Sequence, residues 1–180
     1  MAWTTRASTT VYENAWISVR EDAVTGPGGD GIYGVVAMRN AAVFVIALDS
    51  EDRVALVALE RYTTGASLEV PAGGTDGEDP LVAARRELLE ETGFEADEWT
   101  HLGAMNALNG IAVAPEHVFL ARGVRPAEQS DLRSQEEEGI DDVLWVPFSE
   151  VLTMIAEGRI SDGETIAAVA YAGIFLGRFR

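Results

Sequence analysis

Residues 72–94 read AGGTDGEDPLVAARRELLEETGF, a glycine-rich loop followed by a segment with the signals of one short helix. Asp79 is a favourable N-cap residue, and Pro80 suits the first helical position because that position needs no amide hydrogen. Gly93 is the residue type that most readily adopts the left-handed conformation at a helix C-terminus. We therefore predict a helix over residues 80–92 that is fixed at both ends.

This helix is predicted to have a carboxylate face. Glu87, Glu90 and Glu91 are spaced i, i+3 and i+4, which places them on one stripe of the helix. An adjacent stripe is apolar and is expected to pack on the core: Leu81, Ala84 and Leu88. A solvated acidic face would give the same spacing. The glycine-rich loop favours a ligand site instead, and Arg86 can orient neighbouring carboxylates through paired hydrogen bonds.

The charge distribution extends this expectation. Thirty acidic against thirteen basic residues give a net charge of −17, which disfavours nucleic acid and anionic membranes as partners. Acidic residues concentrate in segments 69–98 and 135–142. Carboxylates packed closely raise one another's pKa unless cations neutralise them, and Mg²⁺ takes oxygen ligands. Solubility alone remains the alternative explanation for the acidic surface.

Composition and length fit one folded domain of 180 residues, 47% of them hydrophobic. No apolar run approaches the roughly 20 residues that span a bilayer. The first residues lack the apolar segment of a signal peptide, so a cytoplasmic location is expected by default. The sequence has no cysteine, which excludes disulfides and thiolate metal sites.

Apolar periodicity and turn signals predict a mixed sheet with helices late in the chain, an α+β or layered α/β/α fold. A turn at 27–31 is expected to join two strands as a hairpin. The predicted strands are 16–20, 33–38, 41–48, 53–59, 67–70, 99–104, 116–121 and 143–146. Further helices are expected at 150–157, capped by Ser149, and at 163–176.

Glu78, seven further residues and the run RELLEETGF at 86–94 resemble the Nudix box, G-x5-E-x7-R-E-U-x-E-E-x-G-U, where U is a bulky apolar residue. The resemblance implies a Nudix fold, with a mixed β-sheet sandwiched between helices and an N-terminal β-hairpin. The opening glycine of the box would fall at position 72, where Ala72 stands, so the loop is one residue short. We interpret this as a tighter turn through Gly73, Gly74 and Gly77.

Roles for the box residues follow from the resemblance. Glu87 and Glu91 would be the main Mg²⁺ ligands, with Mn²⁺ as the alternative ion, and Glu90 would support them. Arg86 would hold the cluster in shape, and Glu78 would assist from outside. The implied chemistry is attack by water on a diphosphate phosphorus, with metal ions activating the water and offsetting charge.

The segment LEVPAG at 68–73 resembles the E-x-P-A-G run of ADP-ribose pyrophosphatases. That resemblance implies that the carbonyl of Ala72 joins the metal site and that three neighbouring residues bind substrate: Glu69, Gly73 and Gly74. The segments 12–16 and 24–28 resemble the N-terminal hairpin of the same group, which helps to build a dimer. We therefore predict an extension at 1–40, a Nudix domain at 41–180 and a homodimer.

Three consecutive acids, Glu136, Glu137 and Glu138, resemble the loop that supplies the catalytic glutamate of this group. Glu137 is favoured as the base, its two neighbours are the alternatives, and a solvated acidic loop remains open. Arg61 could pair with phosphate and Tyr62 could stack on a base, or both could be surface strand residues. The two histidines are expected to be surface or packing residues, and the four tryptophans core or dimer contacts: His101, His117, Trp3, Trp16, Trp99 and Trp145.

The sequence thus predicts a hydrolase acting on a nucleotide-type small molecule, with ADP-ribose or a nucleotide sugar as the substrate class. The products would be a nucleoside monophosphate and a sugar phosphate. Two alternatives remain: a house-cleaning pyrophosphatase of nucleoside triphosphates, and a catalytically silent module that senses a nucleotide.

Overall fold

The computed structural model describes residues 2–128, 135 and 139–179. Within these ranges the chain forms eleven strands and three helices. The strands are β1 Thr4–Glu13, β2 Ile17–Gly26, β3 Gly29–Met38, β4 Ala42–Ala47, β5 Arg53–Arg61, β6 Gly65–Glu69, β7 Ala72–Gly74, β8 Phe94–Asn106, β9 Ala112–Val113, β10 Pro115–Pro126 and β11 Ile140–Pro147. The helices are α1 Pro80–Thr92, α2 Phe148–Ala156 and α3 Gly163–Phe175. No helix in these ranges is both long and apolar enough to cross a membrane.

The central sheet has the strand order β7-β4-β10-β8, with β4 and β10 parallel and the other pairs antiparallel. Successive side chains of β4 point to opposite faces of this sheet, and both faces are buried. One set packs in a core with residues of α1: Val43, Val45 and Ala47. The other set, Phe44 and Ile46, packs together with Leu48, the residue after the strand, in a core with residues of α2 and α3. The predicted α+β fold with helices on both sides of a mixed sheet is therefore confirmed.

A second sheet, β11-β5-β6, lies beside the first, to which the bridge between Leu48 and Val54 connects it. The N-terminal sheet has the order β1-β2-β3-β9 and contains the predicted hairpin, in which Gly26 of β2 lies opposite Gly29 of β3. Strand β1 was not predicted, and all ten of its residues are exposed. It is an edge strand that pairs with β2 on one side.

Three local expectations differ from the structure. Helix α2 begins at Phe148 after Pro147, so the prediction that Ser149 caps it is wrong. The predicted loop at 72–78 begins with strand β7, because residues 72–74 pair with β4. The segment 105–115, left between the predicted strands 99–104 and 116–121, likewise contains β9, a two-residue strand that pairs with β3.

Candidate active site

Helix α1 has the predicted ends. The Asp79 side chain accepts a hydrogen bond from the amide of Leu81, and Pro80 occupies the first turn. Gly93 adopts a left-handed φ of 74° and donates its amide to the carbonyl of Leu89. With both ends fixed, the helix holds its carboxylate stripe in a constant direction.

That stripe is not on the solvent side of the helix. Glu87 and Glu91 are each only 4% exposed, whereas the Glu90 side chain is about one-third exposed at 34%. Burial of two carboxylates on one helix face is costly unless each is hydrogen-bonded or paired with a cation. This burial disfavours the alternative of a solvated acidic face.

Strand β7 runs directly alongside these carboxylates. The amide of Ala72 donates a hydrogen bond to Glu91 Oε2 at 2.9 Å. Gly73 lies so close to Glu87 that a β-carbon at this position would be 2.2 Å from Oε1 of that glutamate. A side chain at position 73 would therefore displace the Glu87 carboxylate, which explains why glycine stands here.

The turn before α1 accommodates the missing residue of the box. Asp76 and Gly77 have φ values of 50° and 84°, and the amide of Glu78 donates to the carbonyl of Thr75 at 2.8 Å. Positive φ at both central residues with this hydrogen bond is the pattern of a type I′ turn. The prediction of a tighter turn is correct for Gly77, but Gly73 and Gly74 belong to strand β7.

Arg86 connects the loop, the turn and the helix. Its Nε donates to Glu78 Oε2 at 3.1 Å, and its Nη1 donates to Glu87 Oε1 at 2.8 Å and to Glu90 Oε2 at 3.0 Å. Its Nη2 donates to the carbonyl of Gly74 at 2.7 Å. Burial lowers the pKa of the Arg86 guanidinium, but the three carboxylates outweigh burial and raise that pKa above its ordinary value.

A cleft of about 350 Å³ lies over these groups. Its lining joins the carboxylate helix to β7 and to the ends of two further strands: Leu59, Arg61, Ala72, Gly73, Gly74, Asp76, Arg86, Glu87, Glu91 and Ile140. Within the described ranges, no three acidic or histidine side chains are already grouped as a closed metal site. Mg²⁺ does not need such a cage, since it keeps several waters and takes one or two carboxylates. The all-oxygen donor set of the helix therefore fits a hard divalent ion.

Arg61 lies at the end of β5 on the rim of this cleft. Its Nε donates to both carboxylate oxygens of Glu69, at 3.0 and 3.2 Å, and its Nη2 lies 2.5 Å from Oε2. Hydrogen bonding to Glu69 raises the pKa of Arg61, burial opposes that rise, and the charges of Glu91 and Asp162 add to it. Tyr62, the next residue, is fully exposed, and the structure does not bring it into the cleft.

Two further cavities meet the cleft at Arg61. One, of about 330 Å³, is bordered by Trp16, Met38 and Phe44. Trp16 was predicted to be a core or dimer contact, and its 73% exposure beside this cavity excludes the core and leaves the dimer contact as the prediction. Trp3 is likewise 61% exposed and stays a predicted dimer contact, whereas Trp99 and Trp145 pack against the α1 core, as predicted.

The other cavity, of about 500 Å³, is lined by four acids from three parts of the chain: Glu69, Glu116, Asp162 and Glu164. Among these four acids, only Glu69 has a predicted substrate role. Asp162 caps helix α3, because its side chain accepts a hydrogen bond from the amide of Thr165 at 2.7 Å. Glu116 carried no sequence signal, because residues 162 and 164 approach it only through the fold.

Glu136, Glu137 and Glu138 lie outside the described residues. Described residues on both sides of them contact the active-site region. Gln135 donates its side-chain amide to the carbonyl of Glu91 at 3.0 Å, and Ile140 lines the cleft over Glu87.

The two histidines lie together elsewhere. His117 Nδ1 is 3.3 Å from His101 Nε2, and both border a cavity beside Asp79 rather than the carboxylate cleft. Burial and the neighbouring His101 lower the pKa of His117. Both histidines are surface or packing residues, as expected.

Comparison with known proteins agrees with this architecture. The NUDIX domain model matches residues 38–169, and the nucleoside diphosphate sugar hydrolase N-terminal domain model matches residues 3–36. The chain is 32% identical over 173 residues to an ADP-ribose pyrophosphatase of Mycobacterium tuberculosis, covering 94% of this chain and 80% of that protein. It is 37% identical over 110 residues to a GDP-mannose pyrophosphatase of Yersinia enterocolitica, covering 61% of this chain and 57% of that protein. In fold it resembles a solved ADP compounds hydrolase, with a TM-score of 0.83, 21% identity and coverage of 100% and 97% of the two chains.

The fold and the buried carboxylate helix define a hydrolase of a class that generally uses divalent metal ions. The chain belongs to the Nudix hydrolase family, as the box predicted.

Proposed function

We propose that this protein hydrolyses the diphosphate bond of a nucleoside diphosphate that is linked to a second group. ADP-ribose or a nucleotide sugar is the leading substrate class, and Mg²⁺ is the leading metal ion. The relatives named above act on such compounds, and the E-x-P-A-G run at 69–73 supports the same class.

The observation that carries the proposal is the placement of Arg61 between three cavities. It borders the carboxylate cleft, the cavity beside Trp16 and the acidic cavity beside Glu116. A diphosphate in the cleft would leave one cavity for a base and the other for the second group. A nucleoside triphosphate has only one bulky group, so it would leave one cavity unused.

The residues of the cleft have distinct roles in the proposed reaction. Glu87 and Glu91, supported by Glu90 and the carbonyl of Ala72, would hold Mg²⁺, which when bound activates water and offsets charge on the phosphate oxygens. Arg61 can donate to a phosphate oxygen while it keeps its pair with Glu69. Arg86 keeps the carboxylates in position, since it contacts both Glu87 and Glu90.

The reaction adds one water across the anhydride and yields two monophosphates. A base must take a proton from that water, and we propose Glu137 for this role, with Glu136 and Glu138 as the alternatives. Chain length supports the assignment, because three residues span at most about 10 Å and Ile140 already borders the cleft.

We further propose that residues 1–40 form a dimerisation element beside a Nudix domain at 41–180. The exposed β1 edge and exposed apolar side chains of this segment support an interface, among them Trp3, Val11, Tyr12 and Ile32. Light scattering on the protein as it elutes from a size-exclusion column would measure the mass of the assembly. The cytoplasmic location stays a prediction.

The test of function is a substrate panel with MgCl₂: ADP-ribose, GDP-mannose, UDP-glucose, ATP and dGTP, with products separated by chromatography. We expect a nucleoside monophosphate and a sugar phosphate from the diphosphate conjugates. Pyrophosphate release from the triphosphates alone would establish the house-cleaning alternative. Binding without turnover of any compound would establish the silent sensor.

A further inference from the structure

The acidic cavity contains a carboxylate that the protein itself does not satisfy. Glu116 is near the start of β10 and is 6% exposed. Its Oε2 is buried and, among the described residues, has no hydrogen-bond partner. Buried polar atoms in folded proteins are almost always hydrogen-bonded, and an orphaned carboxylate oxygen is costly. A bound ligand that donates to Oε2 would remove this cost.

The other acids of the cavity already have partners within the fold. Glu69 accepts the Arg61 guanidinium, and Asp162 accepts the amide of Thr165 at the start of α3. Glu164 lies in the first turn of α3, where a carboxylate interacts favourably with the helix dipole. Glu116 has no comparable partner for its Oε2 among the described residues.

The charges around Glu116 indicate what kind of donor the cavity favours. Four carboxylates face one guanidinium, that of Arg61. Burial raises the pKa of Glu116 to about 7, and the charges of Glu164 and Asp162 raise it in the same direction. Burial and Asp162 likewise raise the pKa of Glu164. A neutral hydroxyl could donate a hydrogen bond to Oε2 but would leave the repulsion between the carboxylates in place. A cationic donor would both donate to Oε2 and reduce that repulsion.

We propose that this cavity receives the group beyond the diphosphate and selects substrates in which that group carries a protonated amine. The inference rests on the proposed function, since Arg61 is the residue that connects the cavity to the diphosphate cleft. With a volume of about 500 Å³ the cavity is in the range of small-molecule sites.

The test compares substrates that differ only in amine against hydroxyl. The pairs are ADP esters of ethanolamine and ethylene glycol, and of 4-aminobutanol and 1,4-butanediol, so that two spacer lengths are covered. At pH 8 an aliphatic amine stays protonated, because its pKa is about 10, and Glu116 is ionised. The measurement is kcat/KM for each ester with saturating MgCl₂, with ADP-ribose run beside them.

We expect the amine ester of at least one pair to be preferred by about tenfold in kcat/KM. Glu116→Gln should reduce this preference to below about threefold while hydrolysis of the hydroxyl ester is retained. Glu98→Gln removes one exposed carboxylate outside the cavity and should leave the preference unchanged. Because glutamine has the shape of glutamate, the variant tests charge rather than packing.

Different failures have different meanings. Equal hydrolysis of amine and hydroxyl esters, or preference for hydroxyl, would overturn the inference and leave the proposed function intact. If the wild-type protein hydrolysed none of the diphosphate conjugates, ADP-ribose included, both the inference and the proposed function would be overturned. If Glu116→Gln raised the MgCl₂ requirement for all esters alike, the cavity would be a metal site and the amine assignment would be wrong.

Discussion

Gly73 and Glu87 are in such close contact that the glycine α-carbon has no room for a substituent on the side of the carboxylate. A β-carbon at position 73 would lie 2.2 Å from Oε1 and 2.3 Å from Cδ of Glu87. The contact joins β7 to α1, so the shape of the site depends on a residue that has no side chain.

Gly73→Ala should therefore disable the site from the backbone side. The methyl group would push the Glu87 carboxylate away from its position beside Arg86, and we expect turnover to fall by about 10²-fold or more, as misplacement by about 1 Å can cause. Steady-state turnover of ADP-ribose with MgCl₂ measures this loss. Gly34→Ala in β3 is the matched control, because a β-carbon there meets nothing within 4 Å and activity should be retained. Wild-type turnover in Gly73→Ala would show that Glu87 tolerates displacement.

Glu91→Gln should separate metal binding from folding. The amide oxygen of glutamine can still accept the Ala72 amide, which now donates to Glu91 Oε2 at 2.9 Å, so the fold should persist. The lost charge should lower Mg²⁺-dependent turnover by about 10³-fold, equivalent to about 4 kcal/mol. Calorimetric titration with MgCl₂ should show weakened binding, and circular dichroism should be unchanged. Full turnover in this variant would remove Glu91 from the metal site.

Single replacements in the run Glu136, Glu137 and Glu138 should identify the base. We expect one glutamine variant, that of Glu137, to lose about 10²- to 10⁴-fold in kcat with little change in KM, since general base catalysis contributes on this scale. The other two should stay within about tenfold of wild type, equivalent to about 1.4 kcal/mol. Full activity in all three would place the base outside this run.

Glu116→Gln should stabilise the protein in a pH-dependent manner. Burial first, and then Glu164 and Asp162, raise the pKa of Glu116 from 4.5 to about 7 in the folded state. The folded state therefore holds this proton more tightly than the unfolded chain, so stability is highest below about pH 4.5 and is lost as the pH rises towards 7. The difference in Tm between variant and wild type should be near zero at pH 4.5.

The same difference should reach a few degrees at pH 7.5, in the range expected when about 1 kcal/mol is lost in a protein of this size. Thermal unfolding without ligand at both pH values provides the measurement, and Glu98→Gln is the charge-matched control. A difference in Tm that does not vary between these pH values would show that folding does not raise the pKa of Glu116.

Local signals were enough to predict the carboxylate helix. The cap at Asp79, the proline at position 80 and the terminal Gly93 act within a few residues of the helix, so their effect is visible in sequence order. Strand β4 was equally predictable from its continuous apolar run, because a strand that is buried on both faces of a sheet has no polar side.

Elements that depend on distant partners were not predictable in this way. Strand β1 has the sequence TTRASTTVYE, whose exposed residues show no apolar alternation, and it is a strand because β2 pairs with it. Strand β7 consists of an alanine and two glycines, which favour a loop by themselves. Glu116 gave no signal for the same reason: its acidic neighbours are more than 40 residues away along the chain.

The four hydrogen bonds of Arg86 hold the carboxylate cluster together in the metal-free protein. The guanidinium already neutralises part of the carboxylate cluster and fastens it to the carbonyl of Gly74. We therefore expect folding of this protein not to require the metal ion, unlike that of small zinc domains, which unfold when the ion is withdrawn. Under the proposed Mg²⁺ dependence, withdrawal of the ion would leave the protein folded but inactive, and its return would restore activity without new protein synthesis.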